Sequence, residues 1–215
     1  MFQRKRVGAI LLMGGSGNRF GSECPKQFHL LAGQPVYQYA LQTLQACGEI
    51  DEIVLCCHPD WVAEVQQAAP FATVIPGGST RQESSWHALK GFQTPPDLVL
   101  IHDAVRPFVA KEVLLANLEM AHRQGAADTC IASADTLVHA PNGQTIAAIP
   151  ERAHYLRGQT PQTFRYDWIV SAHLQAQAKG ITNASDDCRL VLEAGYSIGI
   201  VRGSEENLKI TTINS

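Results

Sequence analysis

The sequence predicts an α/β fold, a mostly parallel sheet flanked by helices, on three observations. Short continuous apolar runs recur at residues 7–13, 53–57 and 98–101, each with the length and character of a strand buried on both faces. Amphipathic helical patterns separate these runs, so strand and helix alternate as in successive βα units. The first run opens directly into a glycine turn, Gly14-Gly15-Ser16-Gly17, at the place where open sheets bind ligands.

Along the chain, Pro35 opens a helical pattern that reaches Cys47, with Val36, Tyr39, Ala40, Leu44 and Cys47 on one face. Residues 53–57 follow as a strand, and Asp60 is placed to cap a helix over 61–69. A brief strand at 73–75 ends in a second glycine turn, Gly77-Gly78-Ser79, and a helix runs from about 81 to 91. The strand at 98–101 ends in His102-Asp103. A helix at 111–124 is closed by Gly125. Residues 129–134 read as a strand. The looser alternation over 136–149, around Pro141-Asn142-Gly143, reads as a hairpin and breaks the βα rhythm. A helix at 166–179 stops at Gly180, a short helix spans 187–193, and strands at 197–201 and 208–211 complete the series.

The length of 215 residues suits one sizeable domain, residues 1–215, with a real core. Hydrophobic residues make up 45% and charged residues 17%, as in ordinary globular proteins. A net charge of −3 argues against a general nucleic-acid binder. No apolar run approaches the ~18 residues of a membrane span. The basic start MFQRKR leads into a strand and lacks a small-residue cleavage site, so it is not read as a signal peptide. Six cysteines without a C-x-x-C pair fit free thiols in a reducing cytoplasm. Eight histidines without an H-x-x-x-H pair argue against zinc.

Chemistry gathers where strands end. A buried strand opening into glycines lets backbone N–H groups approach an anion. Arg19 and Lys26 just beyond suit a ligand with several negative charges, such as a nucleoside triphosphate. The turn is not a Walker A loop, which ends in Gly-Lys-Ser/Thr. Nor is it the dinucleotide fingerprint, because Phe20 takes the third glycine position and Pro35 stands near the expected acid. A plain glycine turn is the alternative, and it requires neither cation. Further strand ends carry Gly77-Gly78 with Ser79, Arg81 and Ser85, then His102-Asp103 with Arg106, then Asp135-Thr136. Asp103 is placed to hold Mg²⁺ against phosphates, or is a turn aspartate. Strand-end packing accounts for His102.

Taken together, seven pieces resemble the cytidylyltransferases that activate alditol phosphates, a family that includes the methylerythritol phosphate and ribitol-5-phosphate enzymes. They are GGSGNRF, PKQF, GGSTRQES, HDAVRPF, ADT, R-x-x-x-x-x-x-QTPQTF and NLKITT, in the family's order through residue 212. The resemblance implies a Rossmann-like sheet, CTP and Mg²⁺, and a homodimer built through a projecting β-arm at about 135–157. It implies that Arg19 and Lys26 stabilise the transition state. It implies that Met13, Gly14, Gly15, Gly17, Gly78, Ser85, Asp103 and Arg106 hold CTP, with Asp103 also on the metal. Thr136, Arg152 and Lys209 then position the acceptor phosphate.

Several positions depart from the family pattern. Met13-Gly14-Gly15 replaces a common Ala-Ala-Gly, which keeps the loop small. Ser185-Asp186-Asp187-Cys188 replaces Thr-Asp-Glu/Asp-Ala, and Glu206 stands where Asp is common. The family's closing aspartate and helix do not appear before Ser215, so part of the usual packing is missing or a second domain follows. Val138 stands where the methylerythritol branch tends to place Lys. Ile149-Pro150-Glu151-Arg152, Gly158-Gln159-Thr160-Pro161-Gln162 and Val201-Arg202-Gly203 are similar to the ribitol branch. The expected reaction is therefore CMP transfer from CTP to ribitol 5-phosphate, with methylerythritol phosphate as the alternative acceptor. A sugar-1-phosphate nucleotidyltransferase using UTP or GTP shares the loop logic, and a nucleotide-binding regulatory module is the non-enzymatic reading.

Overall fold

The computed structural model describes residues 2–14 and 24–211, so Gly15, Gly17 and Arg19 lie outside the described residues. Its strands are β1 (Val7–Met13), β2 (Leu30–Leu31), β3 (Gln34–Pro35), β4 (Glu52–Cys57), β5 (Thr73–Pro76), β6 (Leu98–Asp103), β7 (Ala126–Ala132), β8 (Leu156–Arg165) and β9 (Gly199–Arg202). Its helices are α1 (Val36–Ala46), α2 (Val62–Ala68), α3 (Arg81–Leu89), α4 (Lys111–Gln124), α5 (Tyr166–Ala178) and α6 (Asp187–Glu193). One seven-stranded sheet has the order β5-β4-β1-β6-β8-β7-β9, and β2 and β3 pair separately.

The apolar runs behave as their composition dictates. Side chains alternate across a strand, so a run that is apolar throughout must be covered on both faces. Ala9, Leu11 and Met13 of β1 join Tyr37 and Leu44 of α1 and Leu114 of α4 in one core. Ile10 and Leu12 join Leu89 of α3, Ile169 of α5 and Leu190 of α6 in the other. Gly125 closes α4 at φ 92°, a left-handed conformation that disfavours a side chain, and Trp168 packs against its open face.

The chain order opens the site. β4 and β5 are laid down on one side of β1, and β6 then returns to its other side. A reversal of this kind leaves a crevice beyond the carboxyl ends of the strands. All pairings among these four strands are parallel, with Leu12 opposite Asp103, Met13 opposite Cys57 and Cys57 opposite Pro76. The loops after all four strands therefore leave the sheet at one level.

Four features differ from the sequence reading. β8 is a ten-residue strand antiparallel to both β6 and β7, where QTPQTF had suggested only a motif. Its Thr160–Pro161 bond is cis. Residues 208–211 are not a strand but a segment tethered by the Ile210 N–H to Val105 O at 2.9 Å. Asp60 does not cap α2; it lies in a 3₁₀ turn capped by His58, whose Nδ1 accepts the Asp60 N–H at 3.4 Å. The expected hairpin over 136–149 is reduced to one antiparallel bridge, His139 with Ala148. Its tip is an Asn142 turn, with Oδ1 accepting the N–H groups of Gln144 and Thr145 at 3.1 and 3.0 Å.

Candidate active site

A cavity of about 470 Å³ lies over the strand ends. Met13, Gly14, Lys26, Gly78, Asp103 and Lys209 are on its walls, so six of the residues chosen from sequence meet there. They come from the ends of β1 and β6, the turn after β5, and two irregular segments.

Gly14 and Gly77 abut. A Cβ on Gly77 would stand 3.5 Å from the Gly14 Cα and 3.1 Å from Ser84 Oγ, so the close approach favours glycine. Ser84 Oγ accepts the Gly78 N–H at 3.0 Å and donates to Thr80 O at 2.9 Å. Thr80 Oγ1 accepts the Glu83 N–H at 3.1 Å, and the Glu83 carboxylate accepts the Ser79 N–H at 2.7 Å. The turn at 77–79 is thus fastened to the first turn of α3 in the manner of a capping box.

Lys26 is set by its neighbours. Gln27 Nε2 donates to Met13 O at 2.6 Å, which ties the segment to the end of β1. Phe28 stacks on Trp61 with ring centroids 4.1 Å apart and meets Tyr37 edge-on.

Asp103 is the electrostatic centre. Lys209 Nζ lies 2.8 Å from one of its oxygens and Arg81 Nε 3.7 Å from the other. Burial opposes its ionisation, but the charges of Arg81 and Lys209 outweigh that and hold the carboxyl well below the usual carboxylate range. Arg81 also donates from Nη1 to Asp187 Oδ2 at 2.7 Å. Asp187 in turn accepts Ser85 Oγ at 2.7 Å and meets His173 Nε2 at 3.2 Å. Burial again works against the charge of Asp187, and Arg81, His173 and Ser85 together override it.

Several site assignments change. Ser85 is fully buried and bonded to Asp187, whereas Ser84, one residue earlier on α3, faces the cavity. One residue is about 100° around a helix, so the two serines face different surroundings. Arg106 is not on the cavity wall; its Nη1 donates to Asn207 O at 2.8 Å. Thr136 and Arg152 are exposed on the segment 133–155 and do not line the cavity; Arg152 Nη1 donates to Ala134 O at 2.6 Å. Gly15, Gly17 and Arg19 lie outside the described residues. Arg81, His58 and Ser84 line the cavity but were not chosen. GGSTRQES contained both Arg81 and Ser84, and helical phase was the missing signal.

His102 has a structural place. Thr160 Oγ1 accepts the Asp103 N–H at 3.0 Å and pairs with His102 Nδ1 at 2.9 Å. His102 Nε2 faces Arg106 O at 3.1 Å. Burial pushes the imidazole down to about 4, so it is neutral at pH 7 and serves as a bridge between backbone and Thr160. Among the described residues no cluster of three or more His, Cys, Asp or Glu could hold a metal by itself, and no helix is long and apolar enough to cross a membrane.

Known proteins share this arrangement over nearly the whole chain. The family model "IspD: 2-C-methyl-D-erythritol 4-phosphate cytidylyltransferase" matches residues 7–215. A 2-C-methyl-D-erythritol 4-phosphate cytidylyltransferase of Thermobifida fusca is 37% identical, covering 97% of this chain and 90% of that protein. A ribitol-5-phosphate cytidylyltransferase of Streptococcus pneumoniae is 33% identical, covering 95% and 93%. The crystal structure of 4-diphosphocytidyl-2C-methyl-D-erythritol synthase from Anaerococcus prevotii superposes with a TM-score of 0.86 at 27% identity, covering 98% of this chain and 94% of that one. The chain also spans about half the length of bifunctional IspD/IspF relatives, 54% in one from Rhodopseudomonas palustris. The strand-end cavity floored by Asp103, ringed by Lys26, Arg81 and Lys209 and lined by Gly14 and Gly78 lies within a family match over residues 7–215, and the chain belongs to the IspD family of cytidylyltransferases.

Proposed function

We propose that this chain transfers CMP from CTP to an alditol phosphate and releases pyrophosphate. The observation that carries the reading is the gathering of Lys26, Arg81 and Lys209 around Asp103 at the mouth of the parallel strands. Lys26, Arg81 and Lys209 stand with the carboxylates Asp103 and Asp187 at one strand-end cavity, a charge arrangement suited to phosphate groups. The buried Nη2 of Arg81 has no partner among the described residues, which also favours an anionic guest.

An oxygen of the acceptor phosphate attacks the α-phosphorus of CTP as the bond to the bridging oxygen of pyrophosphate breaks. A phosphate monoester has its second pKa near ~6 and is mostly a dianion at pH 7, so no protein base is required. Lys26, with Arg19 from the glycine loop, takes up charge on the α-phosphate and the leaving group. Such preorganised donors act most strongly where water is displaced. Lys209 and Arg152 bind the acceptor phosphate, with Thr136 beside Arg152 on the arm.

Asp103 fits Mg²⁺, which uses one or two carboxylates and completes its shell with water and substrate phosphates. The ion would neutralise charge on the triphosphate. Arg81 and Lys209 pair with the Asp103 carboxylate in the protein alone; with Mg²⁺ held by Asp103, both cations would be available to phosphate oxygens.

The segment 133–155 supports a homodimer. It buries little of its own surface and exposes Val138, Ile146 and Ile149, the last two at 61% and 63%. A two-residue bridge is too small to stand alone in water, and a two-fold partner is the commonest cover. The partner then brings Arg152 and Thr136 to a cavity they do not reach within one chain. A cytoplasmic location is in keeping with six cysteines that are all free thiols.

For the acceptor, Val138 and the ribitol-like IPER and GQTPQ stretches favour ribitol 5-phosphate. The match to the methylerythritol family model and the Thermobifida fusca relative favour methylerythritol phosphate as the second reading. Pyrophosphate release with CTP, measured against both phosphates, separates them. Turnover should be higher with ribitol 5-phosphate, and Lys26→Ala should lower kcat by about 10²–10³ with either acceptor. Faster turnover with methylerythritol phosphate reverses the acceptor; a folded Lys26→Ala protein with normal kcat removes the mechanism.

A further inference from the structure

Lys209 reaches Asp103 from a segment that is neither helix nor strand. A long side chain on a loose tail loses much conformational freedom when it is held at one point. Something else must hold the backbone. Arg106 Nη1 donates to Asn207 O at 2.8 Å, and Gln159 Nε2 reaches the same carbonyl at 3.3 Å and Ser204 O at 2.8 Å. Asn207 Nδ2 donates to Thr160 O at 2.8 Å and to Gln159 Oε1 at 3.2 Å. The Ile210 N–H closes the far side on Val105 O. Arg106, Gln159 and Asn207 are only 8%, 5% and 1% exposed.

The unusual member is Arg106. A buried cation normally sits against a carboxylate. Among the described residues Arg106 has no ion pair within 4.0 Å, and its Nε has no partner. Its fork is directed instead at a backbone carbonyl two residues before Lys209. It also lies three residues after Asp103, on the turn that leaves β6. One short turn therefore carries the carboxylate at one end and the anchor for its ammonium partner at the other.

We propose that Arg106, Gln159 and Asn207 form a clamp that positions Lys209, and that Arg106 acts on the acceptor phosphate only through Lys209. Arg106 is then a positioning residue and not a CTP ligand. The kinetic part of this inference rests on the proposed acceptor role of Lys209; the structural part does not. Without the clamp, residues 204–210 swing away and the ammonium is no longer fixed over Asp103.

The test uses Arg106→Met, which keeps the stem and removes the fork, and Gln159→Leu, which weakens the same carbonyl contact should the first variant fold poorly. Lysine acetylation of the ligand-free protein, read by mass spectrometry, should show Lys209 labelled several-fold faster in both variants, with Lys5 and Lys111 unchanged. Arg106→Lys should restore part of the protection. In turnover assays Arg106→Met should raise KM for the acceptor and leave KM for CTP nearly unchanged. In a Lys209→Met background it should add nothing further, because residues acting through one group are non-additive. Unchanged Lys209 labelling in folded variants overturns the clamp. So does a raised KM for CTP that persists in the Lys209→Met background, since it returns Arg106 to the nucleotide. Faster labelling with an unchanged acceptor KM supports the clamp and removes the acceptor role of Lys209 instead.

Discussion

The floor of the cavity and the segment 133–155 are built in opposite ways. At the floor, Asp103, Asp187, Arg106, Ser85 and His173 are all buried, and each contacts at least one other polar group. In the arm, the polar contacts are local and exposed, and the large apolar side chains point to solvent. Polar groups inside and apolar groups outside invert the usual pattern in both places. The lesson is that the floor carries its own polar partners within the chain, whereas the segment 133–155 leaves its apolar side chains uncovered by the described residues.

Breaking the floor should therefore be far more costly to folding than breaking the arm. Asp187→Ala removes the acceptor for Arg81, Ser85 and His173 at once and leaves a buried guanidinium short of its partner. Losing one side of a buried pair costs about 3–5 kcal/mol, and urea unfolding should show a loss of that order. A loss under ~1 kcal/mol, the range of an exposed pair, would mean that the floor is as tolerant as the surface.

The next effect sharpens the comparison with pH. His102 is buried between Thr160 and Arg106 O, and its folded pKa lies at about 4, below its ordinary value of 6.5. The unfolded chain therefore takes up the proton first as pH falls. The contribution is complete above pH 6.5 and is lost between 6.5 and 4. It amounts to roughly 3 kcal/mol at the acid end. Asp103 and Asp187, whose folded values are depressed below 3.8, lose their contributions only at lower pH. Thermal melts from pH 7 to 4 should show Tm falling in wild type and a flatter profile in His102→Asn. A flat wild-type profile would remove His102 from the floor.

The smallest effect on stability belongs to the arm. Ile149→Asp puts a charge on an exposed side chain and should change the unfolding free energy of one chain by no more than about 0.5 kcal/mol. On the proposed dimer it should nevertheless give a monomer in sedimentation and lower turnover. A dimer that survives the substitution would move the interface elsewhere.

How much of this was legible in the sequence follows from the same contrast. The apolar runs of β1, β4 and β6 announced their burial, and the helices between them followed from periodicity. β8 was hidden because Pro161 argues against a central strand, and because Gln159, Thr160, Gln162 and Thr163 look like loop residues. They are buried strand residues, and three of them are satisfied by Ser204 O, His102 and Asp128. Residues 208–211 are not a strand: the Asn207 side chain just before them donates to Thr160 O of β8, and the Ile210 N–H goes to Val105 O after β6, so no ladder forms. Five cavity residues were legible from the strand ends and the first glycine loop, and Lys209 only through the family resemblance. Arg81 was noted at its strand end without a role, and Ser84 was not noted, since which side of α3 faces the cavity is settled by the Gly78–Ser84 and Arg81–Asp187 bonds, contacts between residues 6 and 106 positions apart.

The stacking of Phe28 on Trp61 has a practical consequence. Phe28 is two residues from Lys26 in the same 3₁₀ turn, and the indole lies against its ring. Any movement of that turn toward a bound phosphate changes the surroundings of a chromophore fixed on a neighbouring helix start. Trp61 is thus placed beside the site as an intrinsic chromophore, and movement of that turn should show as a change in its emission without a label.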